Sequence, residues 1–376
     1  MEEKDYSKAI FYILFFLAII ALGTLCKLLS SVILPVVVAV LMTFSFMPVI
    51  LKLNRKLKIP WILLVIIIDI ILLFTIFALS SLLVSSLSTI IAEYPKYESR
   101  FMSIYKLTAA TFNLQFDDGK SFIDNLWSVL QVREYVQKLA VFLSSGLFTF
   151  AKYFLVIILL FTFLLIEIKS TGKKINSAFH SKTRSKVFRI IQQVISETVR
   201  YLSIKFFISL ATGILVFIGT SIVGMDFPIV WGFLAFIMNF IPTFGSIIST
   251  LLTTLFATLQ FYPAWGKIIY IFILLLSINM ILGNILEPRI EGNHLGLSPF
   301  VILVSLSLWG WLWGFVGMIL AVPMTVIIKI VCENFSILNP IAVLLGNGIA
   351  RKTPQSKTTE AKAPLQEESA EEKLSK

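Results

Sequence analysis

Few polar side chains interrupt the long apolar runs of this chain, and one of them is the carboxylate of Asp69. It lies roughly ten residues into the apolar run of residues 59–83, about 15 Å along a helix. A charge at the centre of a bilayer costs about 2.5–3.5 kcal/mol on insertion scales, so Asp69 should face a cavity or a partner. Two interpretations stand: a proton or cation site, or a structural carboxyl that is protonated or hydrogen-bonded.

A second group of candidate residues, Asn239, Pro242 and Gly245, breaks the apolar stretch of residues 227–262. As one helix this stretch would measure about 54 Å, which is too long for one membrane span and too short for two. Proline lacks the amide hydrogen and glycine turns freely, so the helix should end or kink here. Because a break in lipid must be covered by protein or a wet cavity, Asn239 and the backbone near Pro242 could bind a polar substrate or ion. Alternatively, Asn239 bonds between helices at a structural kink.

A third group lies on the next apolar run, residues 268–286, and at its end. Its helical spacing places Asn279, Asn284 and Glu287 roughly on one side, where they could line the same path. Glu287 and Arg289 could instead form an ion pair that caps the span.

A fourth group consists of the glycines Gly310, Gly314 and Gly317, which interrupt the apolar stretch of residues 297–330. This stretch has the same awkward length as residues 227–262. The glycines allow either a second helix break or a close approach between helices.

The elements that must position these residues are membrane helices. The chain is 57% hydrophobic and 14% charged, with a mean hydropathy of +0.91, whereas soluble domains carry about 25% charged residues. We predict an all-α polytopic membrane protein with about eight hydrophobic segments. Besides those already named, they are residues 10–25, 32–51, 148–166 and 206–223.

The charged residues between the apolar runs predict the orientation. Residues 52–58 hold four basic residues and no acid, and residues 169–205 hold nine against one; such patches belong in the cytoplasm. Residues 84–147 balance six against six and should form amphipathic helices outside the cytoplasm. Apolar residues recur at helical spacing between the basic residues at 187–199. They predict an interfacial helix on the anionic inner leaflet or, alternatively, a cytoplasmic helix packed on the bundle.

The two broken stretches admit two topologies. If both are re-entrant hairpins, the first enters from outside and the second from inside, as in the inverted repeats of many secondary transporters. If both cross fully, the loop at residues 287–296 moves outside. The hairpin form is favoured, and both forms leave the two termini in the cytoplasm.

Several functional classes lack their motifs. The chain has no H-E-x-x-H, G-x-S-x-G or P-loop sequence, so an enzyme is not expected and ATP drive would need a partner. Two cysteines and two histidines do not make a disulfide framework or a metal site, and no cofactor is predicted. The net charge of +11 reflects topology, so no nucleic-acid partner is expected.

Five short segments in order carry a resemblance to a known family. They are NFIPTFG (residues 239–245), LEPRIEG (286–292), LGLSP (295–299), WGWLWGFVGM (309–318) and AVP (321–323). Together they resemble the autoinducer-2 exporter (AI-2E, or PerM-like permease) family. The resemblance implies a bacterial inner-membrane transporter that assembles as a homo-oligomer. Some members are linked to export of the signal autoinducer-2 and others to cation/proton antiport. Thr243 stands where the family often has an aromatic residue.

From these patterns we expect spans at residues 1–83, an outer region at 84–147, a fourth span with its basic helix at 148–200, a transport core at 201–335 and a disordered cytoplasmic tail at 351–376. The expected function is secondary transport, with export of a small polar metabolite or signalling molecule. A monovalent cation/proton antiporter is one alternative, and a non-transporting membrane scaffold of an envelope complex is another. Membrane lipid and a small-molecule or ion substrate are the expected partners.

Overall fold

The computed structural model describes residues 3–111, 151–168, 181–292 and 296–347, together with the single residues 146, 149 and 177. The described residues are almost entirely helical, and the β-structure among them is one isolated bridge between Leu297 and Gly346. Outside the described residues lie the predicted amphipathic segment at 122–136 and the predicted tail at 351–376.

The described helices occur in the following order along the chain. They are α1 (Glu3–Leu28), α2 (Ser30–Leu57), α3 (Trp61–Thr111), α4 (Ala151–Ile168), α5 (Ser181–Ile222), α6 (Pro228–Met238), α7 (Phe244–Phe261), α8 (Trp265–Ile278), a π-helical segment (Asn279–Leu286), α9 (Glu287–Glu291), α10 (Pro299–Asn334), a 3-10 turn (Ser336–Leu338) and α11 (Asn339–Leu345).

Seven helical stretches of the described chain are long and apolar enough to cross a membrane. They are Ser30–Leu57, Trp61–Ser86, Ala151–Ile168, Thr183–Ile222, Phe244–Phe261, Trp265–Glu291 and Pro299–Asn334. The protein is therefore an all-α polytopic membrane protein, as its composition predicts. The predicted spans at residues 10–25 and 32–51 correspond to α1 and α2, which Leu29 alone separates.

The first broken stretch folds back on itself and forms what we call the first hairpin, α6 and α7. Both of its ends lie beside the carboxyl end of α5. This is shown by Gln260, near the end of α7, whose side chain bonds to the backbone of Gly224 and Asp226 just after α5. The amide of Gln260 donates to the carbonyl of Gly224 at 3.1 Å, and its oxygen accepts from the backbone N–H of Asp226 at 2.8 Å. This geometry has the hairpin form that the sequence favours.

The second broken stretch is a hairpin within α10, with its tip at Trp313 and Gly314, whose backbones are not helical. Gly314 has φ +62°, a conformation that glycine adopts without strain. The two arms meet where the hydroxyl of Thr325 bonds to that of Ser305 at 2.9 Å. At the base of this second hairpin, the ammonium of Lys329 donates to the carbonyl of Gly296 at 2.9 Å.

The two hairpins point in opposite directions. The stretch Trp265–Glu291 starts at the base of the first hairpin and ends close to the base of the second. Because that stretch is long enough to cross a membrane, the two bases lie at opposite ends of the helical core. The hairpins contact each other through Ile241, which packs against Leu306 and Ala321.

The long helices differ in two places from their predicted boundaries. The predicted third span continues without a break as α3 through residue 83 to Thr111. The predicted interfacial helix at 187–199 is the first part of α5, and its Val194 packs with Val322 and Val326 of the second hairpin. The structure thus has the alternative arrangement, a helix packed on the bundle, because the apolar side of this segment finds protein to cover it.

Candidate functional site

The turn of the first hairpin borders a cavity of about 660 Å³. Its walls are this turn, α7, α8 and the π-helical segment, with one side chain from α5. Five of the residues singled out from the sequence line it: Asn239, Pro242, Asn279, Asn284 and Glu287. Residues predicted from two separate apolar runs therefore meet at one site.

The turn between α6 and α7 is very tight. A Cβ atom on Gly245 would lie 1.7 Å from the carbonyl oxygen of Met238, so only glycine fits there. Thr243 adopts φ +63°, which is a strained conformation for a β-branched residue. Strain of this kind often occurs at functional sites.

Two asparagine amides link the walls of the cavity. The Asn239 amide donates to the hydroxyl of Ser209 on α5 at 3.0 Å, and the Asn279 amide donates to the hydroxyl of Thr250 on α7 at 2.9 Å. Asn239 thus bonds one helix to another, as the structural interpretation predicts, and it also lines the cavity. Among the described residues, neither amide oxygen accepts a hydrogen bond, so both acceptors are available to a ligand.

The π-helical segment explains why Asn279 and Asn284 share a wall. A π-helix bonds residues five apart, so side chains five apart lie on nearly the same side. Asn279 and Asn284 have this spacing, and the segment between them includes Gly283, which also lines the cavity. π-Helical turns occur frequently at functional sites.

A buried ion pair lies at one end of the cavity. The ammonium of Lys205 on α5 lies 2.5 Å from a carboxylate oxygen of Glu287, and the two side chains are 4% and 14% exposed. In the sequence, Lys205 is one of the basic residues that predict orientation. Its position next to Phe206, where the apolar run of residues 206–223 begins, is the local signal for a site residue. Arg289 is exposed, and Glu287 pairs with Lys205 instead of forming the predicted cap with Arg289.

Asp69 lies away from the cavity, on α3. Its carboxylate accepts a hydrogen bond from the Thr162 hydroxyl of α4 at 2.8 Å. Its other oxygen is buried and has no hydrogen-bond partner among the described residues.

The glycines of the second hairpin do not line this cavity either. Gly317 packs against the backbone of Trp309, where a Cβ atom would lie 1.9 Å from the carbonyl oxygen, and Gly310 packs against Met318. Gly310 and Gly317 therefore permit close packing, whereas Gly314 forms the turn.

A polar cluster that the sequence did not predict joins α3 to the base of the first hairpin. The carboxylate of Asp226 accepts from the Lys96 ammonium at 2.8 Å and from the Tyr97 hydroxyl at 2.6 Å. Partial burial of Asp226 opposes its ionisation, but these two hydrogen bonds outweigh burial and lower the pKa of the Asp226 carboxyl. Burial and the same hydrogen bond raise the pKa of the Tyr97 hydroxyl. The guanidinium of Arg100 also donates to the carbonyl of Gln260.

Comparison with known proteins agrees with this architecture. The model of the AI-2E family transporter matches residues 10–337. A putative transport protein of Borreliella burgdorferi is 42% identical over 197 residues, about half of each chain (52% and 54%). The putative transport protein YhhT of Escherichia coli K12 is 30% identical over 75% of this chain and 79% of its own. The AI-2 transport protein TqsA of the same strain is 29% identical over 85% and 90%.

The family match at residues 10–337 covers both hairpins, the residues that line the cavity and most of the helices that precede them. Membrane transport is the function that the family description and the relatives share. The chain therefore belongs to the AI-2E family of membrane transporters.

Proposed function

We propose that this protein is a secondary transporter that exports a small polar metabolite or signalling molecule through the cavity at the first hairpin. The observation that carries the proposal is the position of the cavity: polar side chains and a broken helix meet at its wall, at the tip of a hairpin between apolar helices. Discontinuous helices with such polar contents form the substrate sites of many secondary transporters.

The chemistry of the cavity fits a neutral, hydroxyl-rich cargo. Lys205 and Glu287 compensate each other's charge, and the remaining polar groups are amides and hydroxyls that donate and accept hydrogen bonds. The relative TqsA is described as an AI-2 transport protein. An autoinducer-2-like molecule is therefore the cargo that we propose.

We place the protein in the bacterial inner membrane with both termini in the cytoplasm. The cytoplasmic side is then the one that holds the base of the second hairpin, in line with the basic patches at residues 52–58 and 169–205. In this proposal residues 201–335 form the transport core, because they hold both hairpins and the cavity. Large apolar side chains remain exposed on α7 and α8, and lipid or neighbouring copies in a homo-oligomer would cover them.

Transport by the purified protein in liposomes tests the proposal. We expect uptake of labelled autoinducer-2 above that of empty liposomes, and at least a tenfold loss, on the order of 1.4 kcal/mol, in the double variant N239A/N279A. N334A is the matched control, because the Asn334 amide donates to the Ile330 carbonyl within α10 and Asn334 does not line the cavity. Wild-type uptake equal to that of empty liposomes would overturn the proposal.

A monovalent cation/proton antiporter is a second candidate, and Asp69 favours it. A carboxylate oxygen that is buried without a partner among the described residues is suited to take up a proton or a cation. If this function is correct, D69N abolishes pH-dependent sodium flux in vesicles, whereas unchanged flux removes it. A membrane scaffold would give neither flux, and a stable partner protein would copurify.

A further inference from the structure

Two successive pairs of polar side chains lie where α5 and α9 meet, next to the cavity. Tyr201 and Lys205 are four residues apart on α5, and Glu287 and Glu291 are four residues apart on α9, so each couple shares one helix face. Lys205 faces Glu287, and the carboxylate of Glu291 is close enough to act electrostatically on the Tyr201 hydroxyl. The Lys205 ammonium thus pairs with Glu287, and Glu291 lies one helical turn further along α9.

The two pairs differ in their hydrogen bonds. Lys205 and Glu287 are bonded at 2.5 Å, whereas one oxygen of Glu291 and the hydroxyl of Tyr201 are buried and have no hydrogen-bond partner among the described residues. A buried polar atom without a partner is unfavourable by about 1–3 kcal/mol, more when charged. Natural proteins keep few such atoms, and those they keep call for an explanation.

We propose that Lys205 exchanges partners between Glu287 and Glu291, and that Glu291 holds the ammonium when a ligand occupies Glu287. Glu287 and Glu291 are four residues apart, a rise of about 6 Å along α9. The flexible four-carbon stem of lysine and its three rotatable donors make such a change of partner possible without moving a helix.

The exchange gives Lys205 a specific part in the proposed function, on which this step rests. In the empty cavity its ammonium occupies the place of a ligand donor at Glu287. A cargo that brings its own donor, a hydroxyl or an amine, replaces it there, and the unbonded oxygen of Glu291 receives the displaced ammonium.

A thermal unfolding cycle on the full-length protein in detergent tests the exchange without any ligand. In the wild-type background E291Q should leave Tm unchanged or raise it, because it removes a like charge beside Glu287. In the E287Q background Glu291 is the remaining partner of Lys205, so E291Q should lower Tm by about 3–5 °C. In the K205M/E287Q background that loss should disappear.

The control is E333Q, whose carboxylate pairs with Lys329 on the same helix, α10. It should shift Tm equally in the wild-type and E287Q backgrounds. Equal shifts for E291Q in those backgrounds would overturn the exchange. Failure of E287Q to fold would overturn it too, because Glu291 is then unable to hold Lys205.

Binding of autoinducer-2 separates the exchange from the proposed cargo. E291Q should raise Kd about tenfold, because the displaced ammonium then lacks a charged partner, and should have no effect in the K205M background. An equal effect in both backgrounds would contradict the exchange. Absence of saturable binding to the wild type would reject the cargo, while the unfolding cycle still decides the exchange.

Discussion

The side-chain amide of Asn279 donates to the hydroxyl of Thr250 at 2.9 Å, and this bond ties the π-helical segment to α7 across the cavity. Both residues line the cavity. The bond therefore holds the two facing walls at a fixed spacing and orients the Asn279 amide oxygen for a ligand.

Replacement of Thr250 by valine should release this wall. The isosteric change removes the acceptor of the Asn279 amide and should lower the free energy of unfolding by about 1 kcal/mol. It should also reduce autoinducer-2 transport, because the amide is no longer held in one orientation. T258V is the matched control, since the Thr258 hydroxyl donates to the carbonyl of Thr254 on its own helix; an equal loss in both variants would contradict a specific role of Thr250.

Gly245→Ala should disrupt the turn of the first hairpin. The added methyl would lie 1.7 Å from the carbonyl oxygen of Met238, so the backbone has to move. We expect a destabilisation of at least about 1–3 kcal/mol and loss of transport. Gly266→Ala is the control, because a Cβ atom there meets no atom within 4 Å; comparable Tm values for the two variants would show that the turn is looser than described.

The Asp226 cluster predicts that the protein becomes less stable as the pH falls into the acid range. The pKa of Asp226 is lower in the folded protein than in the unfolded chain, so the unfolded chain binds more protons as pH falls through this range. The contribution of the Asp226 carboxylate to the free energy of unfolding is complete above its pKa in the unfolded chain. It disappears as pH falls through its pKa in the folded protein. D226N should therefore have a lower Tm than the wild type at pH 7, and the difference should vanish in acid. A difference that stays constant down to the lowest pH at which the protein folds would contradict this assignment.

The hairpin topology predicts which loops share one side of the membrane. In a protein whose Cys26 and Cys332 are replaced, cysteines at Ser221 and Ala264 flank the first hairpin and should react with an impermeant maleimide from one side. A cysteine at Ser336, beyond the second hairpin, should react from the other side. Labelling of Ser221 and Ala264 from opposite sides would show that the first hairpin crosses the membrane completely.

The two hairpins could be predicted from the sequence because their signals are local. Pro242 with Gly245, and the glycines around Gly314, lie inside apolar stretches whose length fits neither one span nor two. The shared face of Asn279, Asn284 and Glu287 is also a local pattern. The structure puts all three on the cavity, and the π-helical turn brings Asn279 and Asn284 to nearly the same side.

Pairings between distant segments could not be predicted in the same way. The ion pair of Lys205 and Glu287 joins residues 82 positions apart, and the position of Lys205 beside an apolar run does not indicate which residue it pairs with. Asp69 has the same midspan position as a transport carboxylate, but its contact with Thr162 becomes visible only when α3 and α4 are packed. The continuation of α3 beyond residue 83 could not be predicted either, because the composition changes there while the backbone stays helical.

The length of α3 has a mechanical consequence. A helix of 51 residues measures about 75 Å, more than twice the hydrocarbon thickness of a bilayer, so roughly half of it projects beyond the lipid as a rigid rod. Lys96 and Tyr97 fasten that rod to Asp226, immediately before α6. A force applied to the projecting rod is therefore transmitted through this bonded joint to the hairpin whose turn borders the cavity.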